Sequence, residues 1–193
     1  MAIRKFNDYE TTQTYKEYGQ LPKGGYTIKI LKAEVCENSI GQYIKLNCDI
    51  AEGEYLGFYS NEYKNQLSEN KKLHCNYLLN VPNDDGTERD GWTKRKFKTI
   101  IEAIEDSNSG YHFDWDEQKF KGKIVGGLVN EREYKDNNGN IRRVTNLSKI
   151  CNVEKIRKNK FTLPNDVLLN KQEKNDFDKF MHIPDSELPF DFE

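Results

Sequence analysis

At 193 residues the chain has room for one domain of ordinary size plus an extension, and too little for two. A hydrophobic fraction of 35% against 32% charged residues, with mean hydropathy −0.93, excludes a large core, and no stretch reaches the roughly 18 apolar residues of a membrane span. The net charge of −2 argues against a nucleic-acid partner only until the chain is divided: residues 1–165 carry 27 Lys+Arg and 24 Asp+Glu, residues 166–193 carry 3 and 8.

The first 21 residues are polar and read as an amino-terminal arm that ends at Leu21-Pro22-Lys23-Gly24-Gly25. Its opening, MAIRKFNDYE, has no apolar run of the signal-peptide kind, so a cytoplasmic setting is expected. From Tyr26 to Val35 the pattern alternates as a strand does, with a phase slip near Leu31 that predicts a bulge. Tyr43 to Ile50 alternates again, with Ile44, Leu46, Cys48 and Ile50 on one face and Tyr43, Lys45, Asn47 and Asp49 on the other. Glu52 to Tyr59 reads as a turn into a short extended piece, and Leu73 to Val81 as a third strand. A helix is predicted from Thr93, as N-cap, to Asp106, with Phe97, Ile100, Ile101 and Ile104 on one face. Asp114-Trp115-Asp116-Glu117 reads as a turn entering a short helical segment. Lys123 to Tyr134 and Ile141 to Cys151 form a hairpin closed by Asp136-Asn137-Asn138-Gly139-Asn140, and Val153 to Arg157 is a helical turn.

The expected architecture is mainly β. Five strands with one helix between the third and fourth is the order of an OB-fold, a Greek-key barrel that binds oligonucleotides on its second and third strands and adjoining loops. The barrel domain is expected over residues 22–162, followed by a flexible, disordered acidic tail over 163–193.

A binder of single strands needs rings for the bases and cations for the phosphates. Aromatic residues make up 12% of the chain, and Tyr43, Tyr55, Tyr59 and Tyr77 are the candidate stacking residues, with Lys45 beside them and Phe58 in the same run. Trp92-Thr93-Lys94-Arg95-Lys96-Phe97-Lys98 is the densest cationic run. Placed at a helix start, Lys94, Arg95, Lys96 and Lys98 would oppose the macrodipole, which points to an anion docked there, with Trp92 alongside. Arg142, Arg143 and Lys149 supply a second basic group on the last strand.

Catalysis finds less support. Asp114, Asp116, Glu117, Glu131 and Glu133 are the only dense carboxylates of the body, as a metal-dependent nuclease would require, and no phosphate loop or nucleophile elbow accompanies them. Cys36, Cys48, Cys75 and Cys151 are scattered and expected to be reduced, and His74-Cys75 has no second pair with which to hold a metal. No metal, cofactor or enzymatic activity is expected.

The tail ends with apolar residues set among carboxylates: Asp185, Glu187, Leu188, Pro189, Phe190, Asp191, Phe192 and Glu193. Rings at a polar terminus suit a pocket on a partner with a basic rim, so these residues are the candidate partner-binding segment. Asp185-Ser186-Glu187-Leu188-Pro189-Phe190 resembles the acidic, Pro-Phe-terminated tip of bacterial single-stranded-DNA-binding proteins, although this chain continues past the Pro-Phe.

The body resembles a family of phage and integrative-element proteins of Gram-positive bacteria, of single-stranded-DNA-binding type. The marks are Leu21-Pro22-Lys23-Gly24-Gly25-Tyr26, Ala51-Glu52-Gly53-Glu54-Tyr55-Leu56-Gly57-Phe58, the Trp92 to Lys98 run, Ser107-Asn108-Ser109-Gly110-Tyr111, Val153 to Arg157 and Lys160-Phe161. The resemblance implies an OB-like fold and a setting in DNA replication or recombination. The expected partners are single-stranded DNA and, through the tail, replication or recombination proteins; no membrane partner is expected, and a homo-oligomer is compatible with the sequence. Two other readings stand beside this one: an interaction module of a phage or plasmid without DNA affinity, and a divalent-metal nuclease built on the carboxylates around Asp114.

Overall fold

A computed structural model describes residues 4–11, 19–67, 69 and 71–169. The readings placed on residues 170–193, including the whole candidate partner-binding segment, lie outside the described residues.

The architecture is mainly β, with one five-stranded antiparallel sheet in the order β3-β2-β1-β4-β5. The strands are β1 (Gly24–Asn38), β2 (Gly41–Ile50), β3 (Asn76–Asn80), β4 (Ile124–Lys135) and β5 (Ile141–Cys151). The helices are α1 (Phe58–Asn65), α2 (Glu88–Ser107) and α3 (Val153–Arg157), with a 3₁₀ turn at Glu117–Phe120. No helix among the described residues is long and apolar enough to cross a membrane.

β1 joins the two halves of the sheet. Its first part, Gly24 to Lys29, pairs with β4; its remainder, from Ile28 onward, pairs with β2. The register shifts between Ile30 and Lys32, so Leu31 is the extra residue of a bulge, at the place the sequence pattern slips. The bend turns the sheet, and the unpaired edges β3 and β5 have Cα atoms within 8 Å of each other. Ile28, Ile30, Ile44, Leu46, Cys48 and Leu79 line the inner face, and α2 closes it with Phe97, Ile100, Ile101 and Ile104.

Two local expectations are corrected. α2 begins at Glu88, not after Thr93. The Thr87 hydroxyl accepts the Asp90 N–H at 3.1 Å and caps the helix, whereas Thr93 lies inside it and donates to the Arg89 carbonyl at 3.1 Å. Before Phe97 the helix turns only Asp90 fully inward, so the apolar period begins two turns after the helix does. The segment after Gly57 is helical rather than extended. The buried Asp49 carboxylate of β2 accepts the backbone N–H groups of Tyr59 and Ser60 at 2.9 and 3.0 Å, an N-terminal cap supplied from another element.

α3 and Phe161 lie against the outer side of the sheet where β1 and β4 carry Gly25 and Gly126. A Cβ on Gly25 would sit 2.5 Å from the Phe161 ring, and one on Gly126 would sit 2.7 Å from Ile156 and 2.8 Å from the Cys151 sulfur. Residues 163–169, expected to begin the flexible tail, instead continue along the half of β4 that β1 leaves unpaired. Val167 accepts from Glu133 N–H and donates to the Glu131 carbonyl, both at 2.9 Å, and Asp166 pairs with Lys23 at 2.9 Å.

These contacts make the α3 seat sensitive to one methyl group. Gly126→Ala should destabilise the protein by about 1–3 kcal/mol in urea denaturation. Adding Ile156→Ala should cost less than the sum of the two single changes, because the second removes the nearest of the atoms the new methyl meets. Additive losses would show that α3 is not seated on Gly126.

Candidate nucleic-acid interface

The outer face of β1–β2–β3 is set by register. Tyr43 lies between Cys36 and Asn80, Lys45 between Glu34 and Leu78, and Asn47 between Lys32 and Asn76. Alternation sends Ile44, Leu46 and Cys48 inward and these residues outward, as the sequence predicts. Leu78 is 54% exposed beside Lys45, which makes no ion pair among the described residues, while Lys32 is paired with Glu34 at 2.6 Å. The Cys36 thiol lies beside the Tyr43 phenol and raises its pKa. The result is a half-buried ring, an unpaired ammonium and an exposed aliphatic side chain on one patch of sheet.

Two of the candidate tyrosines are not on this face. Tyr59 and Tyr77 are buried core residues. Burial pushes the phenol of Tyr77 up to about 12, and that of Tyr59 further still. Tyr77 is in β3, where residues of odd number point inward, so an alternating strand that looks symmetric in sequence places its aromatic in the core. Tyr55 is half-buried in a chain of edge-to-face rings, 6.0 Å from Tyr26 and 6.2 Å from Phe58. These rings join the end of β1 to α1.

The cationic run on α2 is not a helix start. The first turn carries Glu88 and Asp90, which suit the macrodipole, and the cations follow in the second and third turns. At 100° per residue they spread around the axis: Lys94 and Lys98 on one flank, Arg95 outward, Lys96 on the other flank. Lys94 is committed to the fold, paired with Asp84 and, at 3.1 Å, with the buried Asp90. Burial alone would push the Asp90 carboxyl up, but the Lys94 ammonium and the N–H groups of Asn83 and Asp84 hold it below its usual range. Arg95 lies over the Trp92 ring at 4.4 Å, a cation–π pair at the surface. Lys98 is 3.6 Å from Glu102.

On the β4–β5 hairpin, Arg142 is paired with Asp136 at 3.1 Å, and Arg143 with Glu133 at 3.0 Å. Arg143 shares its side of the hairpin with Glu131 and Glu133. Arg142 shares the other side with Tyr134, directly opposite it, and with Arg132 opposite Val144. That side faces the same way as Gly126, on which α3 is seated, and lies beyond Gly24, at the opposite end of β1 from Tyr43. Tyr134 is 45% exposed, and Arg132 is exposed without an ion pair among the described residues. Sequence reasoning passed over both, although the alternation Glu131-Arg132-Glu133-Tyr134 separates acids from the cation and ring. Lys149 is exposed opposite Leu128, nearer the α3 end.

The carboxylates around Asp114 do not converge. Asp114 pairs with Lys119, which holds its carboxyl below the usual range, and Asp116 caps the 3₁₀ turn by accepting from Gln118 N–H at 3.0 Å. Among the described residues no three His, Cys, Asp or Glu side chains are grouped to hold a metal ion. His74 and Cys75 point apart: His74 is exposed and bonded to Glu62 at 2.7 Å, whereas Cys75 is buried beside Cys48. No known family's sequence profile matches the chain, and no curated protein matches it in sequence.

The Lys94–Asp90 pair predicts a pH-dependent structural role. A carboxyl held below its unfolded value contributes stability above about pH 4 and loses it as pH falls through the folded value. Lys94→Ala should therefore lower the melting temperature at pH 7, and the difference from wild type should shrink below about pH 4. A pH-independent difference, or none, would remove the ion pair from the account of the fold.

Proposed function

We propose that the protein binds single-stranded DNA without catalysis, on the outer face of an OB-type barrel, in phage or mobile-element replication or recombination. The observation that carries the proposal is the patch formed by Tyr43, Lys45 and Leu78 on β1–β2–β3; Arg132, Tyr134 and Arg142 share one side of the β4–β5 hairpin and form a second, separate group. Rings and an aliphatic side chain offer surfaces to base faces, and cations not fully neutralised by neighbours serve the phosphates. The strand order β3-β2-β1-β4-β5, edges that approach each other, and a helix between β3 and β4 support the OB-type assignment. The resemblance to single-stranded-DNA-binding-like phage proteins points the same way, and the tail beyond residue 170 would recruit replication proteins.

A mobility shift with oligo-dT, run with and without magnesium, tests the reading. Tyr43→Ala should lose about 1–3 kcal/mol of affinity with little change in salt dependence, as stacking does. Lys45→Ala and Arg132→Ala should each flatten the log–log salt slope by about 0.7. Lys94→Ala should leave affinity unchanged, because its charge is already matched. Absence of a shift would favour the interaction-module reading, and degradation with magnesium would favour a nuclease.

A further inference from the structure

Beneath the β1–β2 hairpin end lies a cavity of about 150 Å³, and it belongs to none of the groups described above. Val35, Ile44 and Val81 form one wall, Phe97, Phe113 and Trp115 supply rings, and Gln42 and Glu117 are its polar members. Gln42 and Ile44 alternate with Tyr43 and Lys45 along β2, so the cavity and the outer patch occupy opposite sides of the same strand end. A space of this size accepts one six-membered ring, as an engineered cavity of about 150 Å³ accepts benzene.

Trp115 is the unusual member. It is 77% exposed, and its φ of 66° places a bulky side chain in the left-handed region, a conformation that costs energy and persists only where its surroundings enforce it. The surroundings do so. Phe113 N–H donates to Glu105 at 2.7 Å, Asp114 holds Lys119, and Asp116 caps the following turn. The indole lies 6.1 Å from Phe97 at 12° and 5.5 Å from Phe113. An exposed ring is thus fixed at the cavity without a ligand, which lowers the ordering cost of binding one.

We infer that this cavity receives one pyrimidine base of the bound strand, with cytosine preferred to thymine; the inference rests on the single-strand reading and adds a base preference to it. A single ring fits the space. Glu117 Oε1 accepts from the Gln118 side chain at 2.8 Å, which leaves Oε2 for an incoming donor. The exocyclic amine of cytosine is such a donor, whereas thymine presents a carbonyl oxygen at that position and meets the carboxylate unfavourably. Gln42 can donate to or accept from the remaining base edge. A phenylalanine of an acidic segment would leave Gln42 and Glu117 unanswered and bring carboxylates towards Glu117. A cation would lose its hydration against Val35, Ile44 and Val81.

The test uses the full chain with Trp92→Phe, which leaves Trp115 as the sole tryptophan. Oligo-dC should change Trp115 fluorescence and bind at least about five-fold more tightly than oligo-dT. Glu117→Gln should reduce that preference to near unity with an unchanged melting temperature. If either oligonucleotide shifts the protein on a gel without a Trp115 response, or if dC and dT bind equally, the cavity inference fails and the single-strand reading stands. If neither shifts nor quenches, both fail. A response to a peptide of residues 183–193 or to choline, in place of oligo-dC, overturns the inference in favour of that occupant.

Discussion

The structure depends on one bent strand. β1 spans Gly24–Asn38 and is the only partner shared by β2 and β4. A straight strand of that length would hold both neighbours in one flat sheet and leave its inner face open to water. The extra residue at Leu31 turns the second half of β1, so that Ile28 and Ile30 before it and Ala33 after it meet the same core. Helix α2 then has a concave surface to close, and the face that carries Tyr43 and Lys45 is the convex one.

Charge is distributed by the same logic. Most cations near the fold's joints are matched to carboxylates: Lys23 with Asp166, Lys94 with Asp84 and Asp90, Lys119 with Asp114, and Arg157 with Glu52 and Glu154. Apart from Lys94–Asp90, whose carboxylate is buried, each pair is partly exposed, and such pairs contribute little individually to stability. For the proposed binding they matter more, because a cation already facing a carboxylate adds little for a phosphate. Lys45 and Arg132, which make no ion pair among the described residues, lie on the outward-facing side of the sheet; on α2 Lys94 and Lys98 face carboxylates, whereas Arg95, which lies over Trp92, and Lys96 do not.

The sheet was legible in the sequence because its signals are local: period-two alternation in 43–50, the phase slip at Leu31, and the Asp136–Asn140 turn, where the Asp136 carboxylate accepts from Asn138 and Asn140 N–H. The helix starts were not, because their caps come from elsewhere or precede the apolar period. Asp49 caps α1 from ten residues away, and Thr87 caps α2 well before Phe97. The proposed site was legible only in half. Tyr43 and Lys45 follow from alternation, but a tyrosine alone does not reveal which face it takes, and Tyr59 and Tyr77 go to the core. Trp115 reads as one residue of a polar turn until the fold sets Phe97 and Phe113 beside it.

The central claim is that the convex sheet face, not the cationic helix, carries the strand. Backbone amide shifts of the full chain, followed by NMR during titration with oligo-dT, test it most directly. The account predicts changes concentrated at residues 32–36, 43–47 and 76–80 and at 132–134 and 142–144, with the outward positions of α2 from Trp92 to Lys98 little affected. Changes confined to 92–98 and absent from β2 would contradict it.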